Sequence, residues 1–151
     1  MNSIDLKLII SSDYKLSKTF RGVFAYNKLP STVSSFPSSY IVNTDIAKKK
    51  GEHWIALYFE SSKLCEIFDS YGLQPFGRIY TFASNNADCV QYNKMFLQNP
   101  FSSLCGLYCI YFLYYKSRGY SLRNIVTRSF KDYLWERNDV FVRESINSLI
   151  G

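Results

Sequence analysis

One histidine, His53, stands among the 151 residues of the chain, so any reaction that needs an imidazole has a single candidate for it. The four cysteines, Cys65, Cys89, Cys105 and Cys109, include no CxxC pair, which argues against a zinc ribbon and leaves no metal site expected. No apolar run approaches the roughly 20 residues that a membrane span requires; even the stretch from Leu104 to Tyr115 is bounded by polar ends. Repeats, low-complexity tracts and anything resembling a signal peptide are also missing. These absences lead us to expect reduced thiols in a cytosol-like compartment and no membrane partner.

What is present is apolar, aromatic and basic. With 47% hydrophobic and 18% aromatic residues, the chain can fill a dense core without disulfide staples, so one ordered domain over residues 1–151 is expected. A net charge of +6 gives a long-range pull towards DNA or acidic surfaces. The basic residues are spread along the chain, however, and a solvated basic surface explains them more simply. Their densest cluster, Lys48-Lys49-Lys50, reads first as a polar turn and second as a contact for DNA or an acidic substrate.

Pro30 to Ser39 reads as a surface loop and Tyr40-Ile41-Val42-Asn43-Thr44 as a strand. His53 to Phe59 and Leu64 to Asp69 are extended runs around Glu60-Ser61-Ser62-Lys63, the pattern of a hairpin. An odd-length loop centred on Ser61 pairs His53 with Asp69, Ile55 with Ile67 and Leu57 with Cys65, all on one face. A two-residue loop would pair His53 with Ser70 and turn Asp69 to the opposite face, so the charge pattern favours the odd loop. Cys89 to Phe96 reads as a third central strand.

The stretch Leu104-Cys105-Gly106-Leu107-Tyr108-Cys109 then places a thiol where an apolar helix begins, with Ser102 or Ser103 as its N-cap. The positive end of the helix macrodipole favours thiolate over thiol, which nucleophilic catalysis needs. Ser121 to Phe130 and Asp139 to Ile150 read as amphipathic helices, the second capped by Asn138 or Asp139. The fold class is therefore α+β, a mostly antiparallel sheet packed on a buried helix that carries the nucleophile.

Taken in chain order, His53-Trp54, the strand end Phe68-Asp69, Gln98 and the Cys105-Gly106-Leu107-Tyr108-Cys109 helix resemble the adenovirus-type cysteine proteases, over roughly residues 20 to 115. Gly51-Glu52-His53-Trp54 looks like the family's histidine strand, and Gln98 lies seven residues before Cys105, as in the family. The Ulp-type proteases that process ubiquitin-like proteins share the constellation. The resemblance implies a papain-like active site with permuted chain order and peptide hydrolase activity. Cys105 would be the nucleophile, His53 its proton partner, Asp69 the group that orients the imidazole, and Gln98 an oxyanion donor beside the Cys105 backbone N–H.

Trp54 is expected either to pack behind or beside His53 and limit water or, equally, to be an ordinary core tryptophan, and Gly106 to let a substrate or neighbouring backbone approach closely. Cys109 is expected to point into the core. Cys89 resembles, with a two-residue gap, the adenoviral cysteine that couples to an activating peptide, although a structural thiol is the reading favoured. No cofactor is needed for the chemistry; an activating peptide or DNA is the candidate regulator. Short virophage (Mavirus-like) and transposon proteases of this lineage mature capsid proteins. They imply capsid or other structural precursors as partners, cleavage near glycine or other small residues, and action in the host cytoplasm, virus factory and virion. Two departures stand out: adenoviral members usually carry Glu where Asp69 stands, and this chain is shorter after the cysteine helix. A Ulp-type isopeptidase and a non-catalytic basic DNA-binding or scaffolding module are the competing readings.

Overall fold

The computed structural model describes residues 2–44 and 53–150; Lys48-Lys49-Lys50 and the Gly51-Glu52 part of the histidine motif lie outside them. Five strands, β1 (Phe20–Phe24), β2 (Ser38–Asn43), β3 (Trp54–Ser61), β4 (Leu64–Phe68) and β5 (Cys89–Tyr92), form one sheet in the order β1-β2-β3-β4-β5. The α+β class is as expected. The sheet is nevertheless mixed rather than mostly antiparallel: β3 runs antiparallel to both neighbours, while β1 is parallel to β2 and β5 to β4. Parallel neighbours need a crossover. One is helix α3 (Gly77–Asn86), between β4 and β5; the other is the segment between β1 and β2, which includes a 3-10 turn at Tyr26–Lys28. The third strand is likewise shorter than Cys89 to Phe96 and lies at the sheet edge, because the chain leaves the ladder at Asn93.

The hairpin register also differs. Leu57 faces Ile67 and Phe59 faces Cys65, two residues away from the expected pairs, because the turn is the tight Ser62-Lys63 and a bulge between Phe59 and Ser61 absorbs the odd residue. An even displacement leaves each side chain on its face. Ile55, Leu57, Cys65 and Ile67 therefore do share one side, packed with Ile79, Phe82 and Ala83 of α3. Ile41, Ala56, Tyr58 and Phe68 point the other way, into the larger core. With both faces covered, these strands are continuous apolar runs rather than alternating ones.

The larger core is built on α4 (Cys105–Lys116), which is buried from Cys105 through Leu113, and it takes in Leu6 and Ile10 of α1 (Ser3–Ser11) and Leu16 of α2 (Tyr14–Thr19). Helix α5 (Leu122–Ser129) starts as expected: the Ser121 hydroxyl accepts from the Asn124 N–H. Helix α6 runs from Trp135 to Ile150, so it opens a turn earlier than expected. Asn138 and Asp139 do not cap it; both are buried inside it and hydrogen-bond to neighbouring segments.

The C-terminal end of α4 is fully tied. Lys116 and Glu66 form a buried ion pair, the other Glu66 oxygen accepts the Leu122 N–H at 3.0 Å, and the Lys116 ammonium lies 5.2 Å from the Tyr58 ring centre. Two residues on, Arg118 grips the α2 N-cap Asp13 with two bonds of 2.7 and 3.1 Å.

Candidate active site

At its other end α4 begins without a cap. Leu104 occupies the N-cap position and supplies no side-chain hydrogen bond, which corrects the expectation of Ser102 or Ser103. Ser102 is engaged elsewhere: its carbonyl and hydroxyl accept from the Gln98 amide nitrogen at 3.0 and 3.1 Å. No capping oxygen thus competes with the Cys105 thiol for the positive end of the helix.

Cys105 is 3% exposed, and its sulfur accepts a hydrogen bond from the Trp54 backbone N–H at 3.4 Å. That N–H belongs to the first residue of β3, so the hairpin itself delivers a donor to the sulfur. The contribution of Trp54 at this point is its backbone; its ring packs against the larger core. Gly106 is buried next to Cys105 in the first turn of α4.

His53 precedes β3, and its Nε2 lies 2.7 Å from Asp69 Oδ1 at the far end of β4. Its Nδ1 is buried without a hydrogen-bond partner among the described residues, and the Cys105 thiol lies near enough for its charge to act on the ring. Burial by itself would lower the imidazole pKa. The Asp69 hydrogen bond, the neighbouring Cys105 thiol and the negative charge of both groups outweigh it and push the value up to about 9. The three residues singled out in the sequence are thus brought together, even though the strand register that suggested the Asp69 contact is not the one formed.

Several residues that the sequence did not single out hold this arrangement. Asp69 Oδ1 also accepts the Tyr71 N–H at 2.8 Å, and the Tyr71 ring stacks on His53 with centroids 4.3 Å apart and planes 10° from parallel. Asn93 clamps the Asp69 backbone, accepting its N–H at 2.9 Å and donating to its carbonyl at 2.7 Å. The turn closes at Gly72, whose φ is +70° and whose added Cβ would lie 2.5 Å from the Met95 carbonyl oxygen, so only glycine fits there. A Tyr and a Gly beside the acid were visible in the sequence; Asn93 read as one more residue of a strand.

Gln98 is wholly buried, not a loop residue in water. Its Oε1 accepts from the Ser70 hydroxyl at 2.5 Å and its Nε2 donates to Ser102, so the amide is oriented from both ends. Neighbouring Asn99 uses its own side-chain oxygen locally, on the Phe101 N–H.

The remaining thiols separate clearly. Cys109 is core, as expected, and burial, reinforced by the nearby Cys105 and Asp69 charges, holds its thiol far above the ordinary pKa. Cys65 is raised by burial as well. Cys89 is exposed at the start of the edge strand β5.

This chain matches the adenovirus endoprotease family over residues 20–127. The protease of Human adenovirus A serotype 12 is 34% identical to it over 93 residues, covering 51% of this chain and 45% of that protein. The protease of Ovine adenovirus D serotype 7 (isolate OAV287) is 35% identical over 126 residues, 73% of this chain and 62% of that protein. The chain therefore spans about half to three-fifths of the length of these curated relatives. Among solved structures, the ASFV pS273R protease shares the fold, with a TM-score of 0.58 at 14% identity over 85% of this chain and 60% of that one. The family match begins at β1, takes in His53, Asp69, Gln98 and Cys105, and ends within α5. A match of that extent, on a fold shared with a viral protease, settles the kinship: the chain belongs to the adenovirus endoprotease family.

Proposed function

We propose that this chain is a cysteine endopeptidase that matures viral capsid or other structural precursor proteins, cutting next to glycine or other small residues. The observation that carries the reading is the single imidazole held between Asp69 and the Cys105 thiol at the uncapped start of α4. The Cys105 sulfur, as thiolate paired with the His53 imidazolium, bonds to the scissile carbonyl carbon while the carbonyl π electrons move onto oxygen. The Cys105 backbone N–H and Gln98 Nε2 meet that oxyanion, Nε2 exchanging one of its Ser102 bonds for it. One such donor is worth roughly 3 kcal/mol. His53 gives its Nδ1 proton to the amide nitrogen, the C–N bond breaks, and the amine leaves a thioester behind. Water then loses a proton to Nδ1 and attacks the thioester, the C–S bond breaks, and the acid product departs with the ion pair restored. Throughout, the ring keeps its Nε2 proton and donates it to Asp69, which fixes the tautomer.

Regulation in this reading comes from an activating peptide or DNA. The exposed Cys89 thiol suits coupling to a peptide, and the +6 charge suits DNA. The enzyme would act in the host cytoplasm, the virus factory and the virion.

The test is incubation of wild-type and Cys105→Ala protein with the structural precursors encoded alongside it, with and without DNA. Discrete fragments from the wild type alone are expected; intact precursors under every condition would overturn the proposal. A second reading, a Ulp-type isopeptidase, is favoured by one observation, an Asp rather than a Glu as the acid. Conjugates of ubiquitin-like modifiers in the same assay separate the two.

A further inference from the structure

The family match stops within α5, yet the chain beyond it reaches back to the loop that carries Gln98. The Phe96 N–H donates to Asp132 Oδ1 at 2.8 Å, and the Phe96 carbonyl accepts the Tyr133 N–H at 2.9 Å. The Leu97 carbonyl accepts from Asn138 Nδ2 at 3.0 Å. The Asn99 N–H donates to Asp139 Oδ1 at 3.4 Å, and the same oxygen accepts the Tyr108 hydroxyl at 2.6 Å. On its other side the loop is tied to the residue after the acid, since the Leu97 and Gln98 N–H groups both donate to the Ser70 carbonyl, at 2.8 and 3.1 Å.

Asp139 is the costly member of this set. Its residue is 6% exposed, and no Lys or Arg pairs with it among the described residues. A buried carboxylate without a cation is expensive, and a neutral amide of the same shape would fill the space at lower cost. What the carboxylate adds is a stronger hold on its two donors. Tyr108 is the link to the nucleophile: it sits one turn after Cys105 on α4, fully buried. Burial first, and then the Asp139 hydrogen bond and charge, keep its hydroxyl protonated and therefore always a donor. Asp139 also lies close enough to the site for its charge to act on Tyr71, alongside those of Cys105 and Asp69.

We infer that Asp139 is a positioning residue, which through the Tyr108 hydroxyl and the Asn99 N–H locks the Phe96–Asn99 loop to the nucleophile helix so that Gln98 faces the reacting carbonyl. The inference rests on the protease reading above.

Two reactions of Cys105 in the full chain separate this role from a merely structural one. Acetylation by p-nitrophenyl acetate passes through an oxyanion; alkylation by iodoacetamide displaces iodide and forms none. For Asp139→Ala the expected result is an acetylation rate lower by about tenfold, a fraction of what loss of an oxyanion donor costs, with alkylation within about twofold of wild type. Asp139→Asn should recover part of the loss. Tyr108→Phe, which removes one oxygen atom, should show the same selective effect at smaller size and serves where Asp139→Ala does not fold. Wild-type acetylation in both Asp139→Ala and Tyr108→Phe, while Gln98→Ala is impaired, would overturn the positioning role alone. Equal loss of both reactions in the Asp139 and Tyr108 variants would overturn it too. Wild-type acetylation no faster than that of Cys105→Ala would remove the protease reading, and this inference with it.

Discussion

The two ends of α4 are built on opposite plans. At the C-terminal end Lys116 meets Glu66 inside the protein, and Arg118 meets Asp13 at its rim. At the N-terminal end the helix has no cap, a thiol stands in the first turn, and an imidazole is charged up to unusually high pH between a carboxylate and that thiol. One end uses electrostatics to hold segments together; in the proposed function the other keeps it available for a reaction. The comparison teaches that burial of charge marks structure when the partners satisfy each other, and chemistry when a reactive group is left among them.

Breaking the reactive end should have the largest effect. Cys105→Ala is expected to lower precursor cleavage by more than about a thousandfold, because it removes the nucleophile of the proposed mechanism, while costing about 1 kcal/mol or less in stability. Fragment yield and urea unfolding measure the two sides. Breaking the structural end should do the reverse. Glu66→Gln strands a buried ammonium and should cost about 3–5 kcal/mol in denaturant unfolding, whereas replacing the pair together, Glu66→Leu with Lys116→Met, should return most of that loss. Turnover of the folded protein should stay within about twofold in both.

A smaller effect sharpens the contrast. Asp69→Asn removes the principal group that raises the His53 pKa, so turnover should fall by about tenfold or more and the alkaline limb of the pH profile should move to lower pH. The sign for stability follows from the same shift. The folded-state pKa of about 9 lies above the ordinary 6.5, so the stabilisation is fully present below about pH 6.5 and is lost as pH rises through about 9. Urea midpoints across that window should decline in the wild type and flatten in Asp69→Asn.

The sequence made the reactive end legible more readily than the structural one. A lone His, an acid at the end of a strand and a Cys opening an apolar run are rare enough to stand out, and all three meet in the folded chain. Gln98 was visible only through the family resemblance, whose spacing to the cysteine it matches, and its burial between Ser70 and Ser102 was not visible, since nothing local marks which serines will reach it. The hairpin register was misjudged because the bulge after Phe59 leaves no signature in Glu60-Ser61-Ser62-Lys63. Asn138 and Asp139 looked like helix caps by residue type, and only the tertiary structure gives them the Leu97 carbonyl and the Asn99 N–H instead. Nothing local ties Lys116, at the end of an apolar helix, to its partner Glu66, which lies 50 residues earlier.

In the proposed function environment, not exposure, makes Cys105 the reactive thiol. The most direct test is competitive alkylation of the native protein with limiting iodoacetamide, with the four cysteines read separately by peptide mass spectrometry. Exposure alone favours Cys89, since Cys105 is 3% exposed. We predict that Cys105 is modified first by at least about tenfold and that His53→Ala abolishes this preference. Modification of Cys89 ahead of Cys105, unchanged by His53→Ala, would contradict the account.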